Sequence, residues 1–549
     1  MKMRERNEQL KRSLGAIAPK ETVQEINNIP VEDTVNRQGF KAYSLDDELK
    51  LVSMLNTLKI EPQFYRSESE QMKDLRDLIE RIAMKDPYFV AQAIVWSRCL
   101  GEGMRSINHL AAALLAPFIK GLEWNKRFYG AFDKKHKKGG CIFRLDDMSE
   151  IKDAYYALGQ KSLSAPMRKG FASVLENADT YQLAKYKKTA IDIANLVHPD
   201  PKKSNATFKN QLDEVQKTLD ALMHGVTVSA DTWEVANSEA GQEVAKAVKE
   251  GKLTEKEAEK VLAEAKADNW ESLLREGKLG VLAALRNIRN IMMNPRAETI
   301  NMWCELIKDP IKTRKALILP IHFDLAYDVV NEEFGEFDCA NQVKQALQDG
   351  YQNAIPNLAE IFTGRTLVVI DRSGSMNGGC ILEGSKGWGR ITKDTSCCSY
   401  KAGLIAATIC KVTGADVIKF GSDANYVTYN QHKNVFALAR EFGRANWDST
   451  NPAAVFDLIR YKHEAYDRII FISDNEVNGR LTSTAYKQYV HDVCSPYIYG
   501  IDLAAYGTTP LKGDKIRYFC GYGPSLYESI KQNEFNAATV IDEIRKLVI

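Results

Sequence analysis

The stretch Thr366-Leu-Val-Val-Ile-Asp371-Arg-Ser373-Gly-Ser375 decides the fold of the C-terminal third of the chain. Its run of aliphatic residues indicates a strand that is buried on both faces of a sheet. Apolar strands then alternate with helical segments to the end of the chain, as in a parallel sheet covered by helices on both faces. The sequence therefore predicts a doubly wound α/β domain over residues 361–549. The polar residues that follow Ile370 would lie at the carboxyl end of its first strand, where such sheets bind ligands.

Two later segments place polar residues at the same edge of the predicted sheet. Thr450 lies in a loop before a helix, and Asp474 ends a later strand. With Asp371, Ser373 and Ser375 they supply two carboxylates and three hydroxyls, hard oxygen ligands that suit Mg²⁺ or Mn²⁺ and would not select zinc. We therefore predict a divalent cation here, Mg²⁺ or alternatively Mn²⁺ or Ca²⁺. Because hydroxyls carry no charge, such a cation would attract a carboxylate or phosphate from outside into its open position.

The spacing of these residues resembles the metal-ion-dependent adhesion site of von Willebrand factor A domains, which combines D-x-S-x-S with a distant Thr and a distant Asp. The resemblance implies that Ser373, Ser375 and Thr450 coordinate the metal directly. It implies that Asp371 and Asp474 do so directly or through water. Two alternatives stay open, namely an A-type domain that no longer binds metal and a simple turn after the first strand.

From about Ser44 to Gln352 the chain follows a different pattern. Apolar residues recur at i, i+3, i+4 and i+7 between breaks with Pro, Gly, Asn or Asp, which indicates short helices in succession. Such a region is either a large irregular bundle or a degenerate helical-repeat array. Residues 205–268, rich in Glu, Lys and Ala, are interpreted as an exposed helical insertion with Thr254 as a helix N-cap. The clearest predicted helices are Leu45–Leu58, Glu70–Met84, Pro87–Cys99, Ile107–Phe118, Trp124–Phe132, Ser149–Leu158, Ala165–Asn177 and Lys278–Met293.

The composition excludes several classes of protein. A chain of 549 residues is too long for one hydrophobic core, and 44% hydrophobic with 27% charged residues is the balance of a folded protein. The net charge of +2 gives no global attraction to nucleic acid or acidic lipid, so such binding would need a local patch. We find no signal peptide and no apolar run near the roughly 20 residues of a membrane span. The ten cysteines include no C-x-x-C pair, so we expect reduced thiols in a cytoplasmic protein without membrane association.

Five segments of the helical part, taken in order, carry a resemblance to a known family. Followed by an adhesion-type α/β domain, the series is similar to the Ro autoantigen family, whose helical part is called the TROVE domain. The resemblance runs from Asn36 to the end of the chain, apart from residues 205–268. The segments are Asn36-Arg-Gln-Gly-Phe-Lys-Ala-Tyr, Met104-Arg105-Ser-Ile-Asn-His109-Leu, Met167-Arg168-Lys169-Gly-Phe-Ala with Leu183-Ala-Lys185-Tyr186-Lys187, Val281-Leu-Ala-Ala-Leu-Arg286-Asn287-Ile, and Leu319-Pro320-Ile-His-Phe-Asp-Leu-Ala-Tyr.

The resemblance implies an N-terminal segment over 1–35, a TROVE domain over 36–360 and a von Willebrand factor A domain over 361–549. The TROVE domain would be an all-α ring of HEAT-like repeats whose ends the A domain joins. We expect a monomer that binds small structured non-coding RNA of the Y RNA type outside the ring and single-stranded ends of misfolded RNA in its hole. It would be a scaffold in RNA quality control and not an enzyme, and in some bacterial members it would tether an exoribonuclease. A cellular and a viral source both stay open.

A local surplus of positive charge fits this expectation. Residues 101–200 hold 16 Lys and Arg against 11 Asp and Glu, whereas residues 201–350 hold 20 against 25. A basic face within a neutral chain is what phosphate binding needs. Gly139 and Gly140 predict a flexible lysine loop before them, and His136 and Tyr186 are candidates for stacking on bases. The candidate RNA contacts are Lys134, Lys135, Lys137, Lys138, Arg168, Lys169, Lys185, Lys187, Lys188, Arg105, His109 and Arg286.

Each of these candidates has an ordinary alternative. A single lysine is more often a solvated surface residue, and His109 beside an apolar helix is equally a core histidine. Arg286 and Arg289, three apart on one predicted helix, would share a face that either lines the hole or pairs with acids of a neighbouring helix. The loop after Lys188 is short for this family, so contacts from that loop are expected to be missing.

A second function stays open beside RNA binding. In this alternative the chain is a metal-dependent protein-interaction module, in which the metal clamps an acidic side chain of a partner protein. Catalysis is not expected, because the sequence has no nucleophile–base pair at a useful spacing, no H-E-x-x-H motif and no second carboxylate cluster for a metal pair.

Overall fold

The computed structural model describes residues 30–58, 65–101, 104–200, 209–224, 246, 250, 252, 254–316, 318, 320–354, 362–377, 397–444, 448–521, 524–536 and 539–549. The chain forms two compact units. Residues 1–82, 101–107 and 356–545 belong to the first, which we call the α/β unit. Residues 83–100, 108–355 and 546–549 belong to the second, which we call the helical unit.

Strands and helices are numbered separately in chain order. The strands are β1 (Thr34–Val35), β2 (Lys41–Ser44), β3 (Phe132–Asp133), β4 (Lys138–Gly139), β5 (Thr366–Asp371), β6 (Asp416–Phe420), β7 (Ala424–Tyr426), β8 (Arg468–Ser473), β9 (Tyr497–Asp502), β10 (Thr508–Thr509) and β11 (Ile516–Cys520). The helices are α1 (Asp47–Thr57), α2 (Glu68–Ala83), α3 (Pro87–Cys99), α4 (Arg105–Leu115), α5 (Asn125–Phe128), α6 (Asp146–Ala157), α7 (Ala165–Glu176), α8 (Thr180–Lys185), α9 (Lys187–Val197), α10 (Lys209–Met223), α11 (Glu255–Arg275), α12 (Val281–Arg286), α13 (Ile288–Met292), α14 (Ala297–Lys308), α15 (Pro310–Lys315), α16 (Pro320–Glu333), α17 (Ala340–Ala354), α18 (Cys398–Thr413), α19 (Val435–Phe442), α20 (Ala453–Tyr461), α21 (Thr482–Asp492), α22 (Pro524–Asn536) and α23 (Val540–Arg545), with a short 3-10 helix at Gly374–Asn377.

A six-stranded sheet forms the centre of the α/β unit, in the order β11-β9-β8-β5-β6-β7. The strands β5 and β8 are buried along their whole length, as their uninterrupted apolar sequences require. They pair in parallel with Val368 opposite Ile470, so both strands end at the same edge of the sheet. The predicted alternation of strands and helices is therefore confirmed.

The sheet is mixed, which corrects the expectation of parallel strands throughout. The edge strand β7 pairs antiparallel with β6, with Phe420 opposite Ala424. The reversal follows from the tight turn between them, in which Gly421 N donates to Asp423 O at 2.8 Å. A strand of three residues at an edge is too short to give a sequence signal of its own.

Residues near the N-terminus belong to the α/β unit. The strand β2 pairs antiparallel with β1 and with β10, where Thr508 lies opposite Ser44. The helix α1 contacts β11, and the side chain of Ser53 donates a hydrogen bond to Asp502 at 2.6 Å. This stretch, whose pattern resembles the helical part of the chain, thus packs with residues more than 400 positions away.

The helical unit has most of the predicted helices, with ends shifted by a few residues. One difference is a break at Asn287, which divides the predicted helix Lys278–Met293 into α12 and α13. Asn287 leaves helical geometry at ψ 13°, while its side chain donates to Ala283 O at 2.9 Å. Another is the predicted helix Trp124–Phe132, in which only α5 is helical and the chain then enters the hairpin of β3 and β4.

The proposed insertion, residues 205–268, is only partly described. Its helix α10 contacts α8, α9 and α7 and buries Val215, Leu219 and Leu222 to 3%, 5% and 1% exposure. The expectation of an exposed segment is therefore wrong for this helix, because an apolar stripe faces its neighbours. The predicted cap is confirmed, since Thr254 and Glu257 form a reciprocal capping box at the start of α11.

None of the helices in the described part of the chain has the length and apolar character that a bilayer span requires. The cysteines of the described ranges are free.

Candidate metal centre and basic surface

The five predicted metal ligands lie at the carboxyl edge of the central sheet. Asp371 is the last residue of β5, and Asp474 directly follows β8, its neighbour. Ser373 and Ser375 lie in the turn after β5, and Thr450 lies in the loop before α20. All five are buried, with 1–5% of their surface exposed. The sheet topology therefore brings these distant residues to one edge, as parallel neighbouring strands require.

Hydrogen bonds fix the orientation of the first carboxylate. Ser373 N donates to Asp371 Oδ1 at 2.8 Å, and the hydroxyl of Ser473 donates to Asp371 Oδ2 at 2.6 Å. The hydroxyl oxygens of Ser373 and Ser375 are 3.1 Å apart. This arrangement leaves the hydroxyl lone pairs of the two serines available to a cation beside them.

The second carboxylate, that of Asp474, has a hydrogen-bond partner within the described ranges on only one of its two oxygens. Glu476 N donates to Asp474 Oδ1 at 3.2 Å, whereas Asp474 Oδ2 is buried and has no hydrogen-bond partner among the described residues. The loop of Thr450 is held next to it, since Thr450 N donates to Asn478 Oδ1 at 2.6 Å and Asn478 N donates to Thr450 O at 3.0 Å. A buried carboxylate oxygen without a partner is costly unless a cation neutralises it.

The electrostatics of the site also favour a bound cation. Burial raises the pKa of Asp371. Burial raises the pKa of Asp474 too, and the nearby charge of Asp371 adds to that effect. Two buried carboxylates and three hydroxyls fit an oxygen-preferring divalent cation, whose charge would equal theirs. Among the described residues no group of three or more His, Cys, Asp or Glu side chains could hold a metal, so the hydroxyls are essential to this site.

Further residues at this edge lie outside the sequence motif. Ser473 fixes Asp371, and its only signal is its place immediately before Asp474 at a strand end. Tyr65, from the other end of the chain, lies near enough to this edge that burial, and then the charge of Asp474, raise its pKa to about 12. No spacing rule connects Tyr65 to the motif at 371–375, because its position depends on the tertiary structure.

Magnesium should stabilise the wild-type protein through this site. At a concentration one hundred times its dissociation constant, a ligand bound only by the folded state contributes about 2.7 kcal/mol. In Asp474→Asn this gain should disappear, while the stability without metal should be unchanged or higher because the repulsion from Asp371 is removed. Thermal unfolding with and without MgCl₂ measures both effects. The control is Ser173→Ala, which changes an exposed serine of α7 and should keep the full stabilisation by magnesium. If Asp474→Asn kept that stabilisation as well, the result would contradict a metal site at these residues.

The predicted lysine loop is an ordered β-hairpin. Phe132 pairs with Gly139 across the two strands, and Asp133 Oδ1 accepts hydrogen bonds from Lys135 N at 3.0 Å and His136 N at 3.1 Å. A methyl group on Gly140 would lie 2.3–2.6 Å from three backbone carbonyl oxygens. The loop is therefore the turn of a hairpin, and the glycine at its base permits close packing.

The hairpin adjoins the other basic elements of the helical unit. Its base contacts α5, where Cys141 N donates to Phe128 O at 2.8 Å. The helix α5 contacts α7 at Gly170, and α7 contacts α9. These adjoining elements carry exposed cations, including two that sequence analysis missed, Lys126 and Arg127 of α5. We call the following residues the basic surface: Lys126, Arg127, Lys135, Lys137, Lys138, Arg168, Lys169 and Lys188.

The cations of the basic surface have no ion-pair partner within the described ranges. Several cations elsewhere in the helical unit are paired. Arg275 lies 2.8 Å from Glu271 and 2.9 Å from Glu298, and Arg296 lies 2.6 Å from Asp268. The sequence showed a surplus of charge, and the structure adds that this surplus is not neutralised locally.

The remaining lysine candidates lie beside these elements. Lys134 is exposed with its ammonium 4.0 Å from the ring of Phe143. Lys185 lies 5.9 Å from the ring of Tyr186, and Lys187 is half-buried at the start of α9. Of the two proposed stacking residues, His136 is exposed and bonded to Asp133, and Tyr186 is half-buried.

His109 is a core histidine, which corrects its proposed contact with RNA. It is 2% exposed, and its two ring nitrogens lie 2.6 Å from Glu150 and 3.0 Å from Asp147. Burial alone would lower the pKa of His109, but the hydrogen bonds to Asp147 and Glu150 outweigh it and raise the pKa. Because both nitrogens are engaged, this side chain is not available to an RNA ligand.

The three arginine positions differ from one another. Arg286 is exposed at the end of α12, and Arg289 of α13 forms an ion pair with Glu333. The alternative that these arginines pair with acids of a neighbouring helix is thus confirmed for Arg289. The prediction that Arg286 and Arg289 share one helix is wrong, because the helix breaks at Asn287. Arg105, at the start of α4, is half-buried.

Comparison with known proteins agrees with this architecture. No protein-family model and no curated protein matches the sequence. The structure is similar to the crystal structure of the Ro (RSR) protein of Deinococcus radiodurans, with a TM-score of 0.56 and 16% sequence identity. The alignment covers 89% of this chain and 100% of that protein. The order of sequence motifs predicted this relationship, and the chain has the fold of a Ro protein.

Proposed function

We propose that this protein binds structured RNA through the basic surface of its helical unit. The observation that supports the proposal is the absence, within the described ranges, of ion-pair partners for eight exposed cations on adjoining elements. In a chain of net charge +2, such a concentration is retained for a negatively charged ligand. The fold shared with a Ro protein adds support, because the sequence resembles a family of RNA-binding proteins.

The chemistry of the surface favours contact with the phosphate backbone. Lysines on a hairpin and on short helices supply mobile point charges on fixed elements, which suit the regularly spaced phosphates of a stem. The ordered hairpin would hold Lys135, Lys137 and Lys138 in place, so their charge would need little reorganisation on binding. Duplex RNA is recognised mainly by shape and backbone, which agrees with a surface poor in exposed aromatic residues.

The finer parts of the proposal come from the Ro resemblance. The RNA would be a small non-coding RNA of the Y RNA type, and single-stranded ends of misfolded RNA would be a second class of ligand. An exoribonuclease recruited through the RNA would be the protein partner. The helical unit would form a ring of HEAT-like repeats, and the protein would act as a monomeric scaffold without catalysis. Such a role would place it in the cytoplasm.

A salt titration tests the proposal directly. The affinity for a fluorescent stem-loop RNA should fall as salt rises, with the log–log slope reduced by about 0.7–0.9 for each phosphate contact removed. Lys135→Gln with Lys138→Gln removes two charges from the hairpin, so the slope should become shallower by about 1.5. The affinity at low salt should fall about thirtyfold, since the two lost contacts contribute roughly 1 kcal/mol each and about 1.4 kcal/mol corresponds to tenfold.

The matched control is Lys308→Gln with Lys312→Gln, which removes two lysines that pair with Glu305 and Asp309. This variant has the same net charge and should bind RNA as the wild type does. An equal loss in both double variants would show that only net charge matters, and a binding curve independent of salt would contradict the proposal.

We also propose that Asp371, Ser373, Ser375, Thr450 and Asp474 hold a divalent cation, preferably Mg²⁺. The unpartnered Asp474 Oδ2 and the matching charge of the two carboxylates support it. A bound Mg²⁺ would supply a positive charge and an open coordination position.

A further inference from the structure

A turn in the first part of the α/β unit is built around the side chain of Asn36. It comprises residues 36–40 and joins β1 to β2. Asn36 is 5% exposed, and its Oδ1 accepts hydrogen bonds from Gln38 N at 3.1 Å and from Phe40 N at 3.0 Å. Asn36 N donates to Phe40 O at 2.8 Å, which closes the turn. These residues, which we call the N-terminal turn, are therefore held in one conformation by their own hydrogen bonds.

The N-terminal turn holds the loop that follows β8. Arg37 N donates to Glu476 Oε2 at 3.0 Å, and the side chain of Gln38 donates to Glu476 O at 3.1 Å. The side chain of Asn36 donates to Val477 O. Glu476 is fully buried, so its hydrogen bonds are shielded from water and are stronger than the same bonds at the surface. The turn and the loop are thus joined, although Arg37 and Glu476 are 439 positions apart in the sequence.

The same loop is hydrogen-bonded to two of the predicted metal ligands. Glu476 N donates to Asp474 Oδ1 at 3.2 Å. Asn478 exchanges two hydrogen bonds with Thr450, from Thr450 N to its Oδ1 at 2.6 Å and from its own N to Thr450 O at 3.0 Å. The side chain of Asn478 also donates to Gln38 Oε1 at 3.0 Å. A continuous series of hydrogen bonds therefore connects the N-terminal turn with Asp474 and Thr450.

We propose that Gln38, Glu476 and Asn478 are positioning residues of the cation site, through which the N-terminal turn and the bound cation stabilise each other. This inference rests on the proposal that the five ligand residues hold a divalent cation. Mg²⁺ demands near-ideal octahedral geometry at about 2.0–2.1 Å, so its binding is sensitive to the position of each ligand. Asp474 and Thr450 lie in separate loops, and each is hydrogen-bonded to a residue that the turn also holds. The turn thus sets the positions of two ligands relative to each other.

The coupling between the turn and the cation is reciprocal. If the turn raises the affinity for Mg²⁺ by holding the loop in its binding geometry, bound Mg²⁺ must stabilise the turn by the same factor. The turn supplies none of the five proposed ligands. Direct coordination therefore cannot explain a stabilisation of the turn by Mg²⁺, and such an effect has to pass through the loop.

Hydrogen exchange of the full-length protein tests this coupling without any substitution. Saturating MgCl₂ should slow the exchange of the amides of the N-terminal turn about three- to tenfold, in the range of ordinary coupling energies between sites. Peptides of α14, in the helical unit, are the reference and should exchange at the same rate with and without MgCl₂.

Three variants test the positioning residues through the affinity for Mg²⁺, measured by isothermal titration calorimetry with MgCl₂. Gln38→Ala removes both side-chain bonds of the turn to the loop and should lower the affinity about three- to tenfold. Glu476→Ala should lower it about tenfold or more, as the loss of a residue that orients a ligand does. Glu476→Gln should stay within about twofold of the wild type. Its amide can still accept from Arg37 N and donate to the hydroxyl of Thr508, which lies 3.2 Å from Glu476 Oε1.

The matched control is Gln488→Ala, which removes an exposed glutamine of α21 that accepts a hydrogen bond from Arg460 at 2.8 Å. It should bind Mg²⁺ as the wild type does. Wild-type affinity in both Gln38→Ala and Glu476→Ala, or exchange in the N-terminal turn that does not respond to Mg²⁺, would overturn the positioning role while leaving the cation site intact. A loss in Glu476→Gln as large as in Glu476→Ala would assign the effect to the charge of Glu476 and equally overturn its positioning role. If the wild type bound no Mg²⁺, both proposals about the metal would fail, and neither result bears on RNA binding.

Discussion

Asp147→Ala should lower the free energy of unfolding of the helical unit by about 3–5 kcal/mol, because it leaves buried charge unpaired. Asp147 is fully buried on α6 and accepts hydrogen bonds from Arg98 at 2.7 Å and His109 at 3.0 Å. It also accepts from Phe143 N and Arg144 N, each at 2.9 Å. One carboxylate thus holds α3, α4 and the start of α6 together. Hydrogen exchange of peptides from α6 and denaturant unfolding of the full chain measure the loss.

The pH dependence of this loss identifies its cause. Burial alone would raise the pKa of Asp147, but the hydrogen bond from His109 and the charge of Arg98 outweigh it and lower the pKa. The stabilisation is therefore complete above the ordinary pKa of about 3.9 and is lost as the pH falls below that value. The difference in the free energy of unfolding between the wild type and Asp147→Ala should therefore become smaller as the pH falls below about 3.9.

The control for this variant lies on the same helix. Asp153 has a side chain that is 66% exposed and lies 3.1 Å from Lys152, so Asp153→Ala should change stability by less than about 0.5 kcal/mol. A loss of similar size in both variants would indicate an effect of helix α6 alone. Such a result would exclude the contacts of Asp147 with Arg98 and His109 as the cause of the lost stability.

Gly140→Ala should destabilise the hairpin of the basic surface by about 1–3 kcal/mol or more and weaken RNA binding with it. The added methyl group would lie 2.3 Å from Gly130 O, 2.4 Å from Arg127 O and 2.6 Å from Phe128 O. Backbone carbonyls cannot move aside without displacing α5, so the hairpin must shift and displace its four lysines, Lys134, Lys135, Lys137 and Lys138. Thermal unfolding and RNA affinity of the same preparation measure the two effects together.

Gly280→Ala is the matched control, because Gly280 has negative φ and no atom lies within 4 Å of the position of an added methyl group. It should lower stability by no more than about 1 kcal/mol, because glycine is a better N-cap than alanine but the added methyl group meets no atom. If Gly140→Ala bound RNA as tightly as the wild type at a temperature where both are folded, the hairpin would not be part of the contact surface.

The α/β unit was largely predictable from the sequence. Buried parallel strands require uninterrupted apolar residues, so β5 and β8 are visible in the pattern. Such strands end at a common edge, which allowed Asp371 and Asp474 to be grouped although they are distant in the chain. The short edge strand β7 was missed, because its position depends on a turn and not on a run of apolar residues.

Tertiary contacts that leave no periodic signal were not predictable. Tyr65 carries no motif, and the buried Arg66 beside it donates to the distant carbonyls of Ala504 and Ala505. The pairing state of a cation is equally invisible in sequence, since Arg286 and Arg289 occupy the same stretch and, within the described ranges, only Arg289 has an acid opposite. His109 has the sequence context of either a ligand-binding or a core residue, and only the positions of Asp147 and Glu150 distinguish them.

The three-stranded sheet of β1, β2 and β10 has a consequence for biosynthesis. The ribosome delivers β2 among the first residues of the chain, but Thr508 and Thr509, to which it pairs, are made near the end. At about 5–20 residues per second, β2 and the apolar face of α1 wait roughly 20–90 s for their partners. The helical unit is translated almost entirely in that interval. The newly made N-terminal residues therefore remain incomplete while most of the chain folds, and they are the part of the molecule that most needs a chaperone during translation.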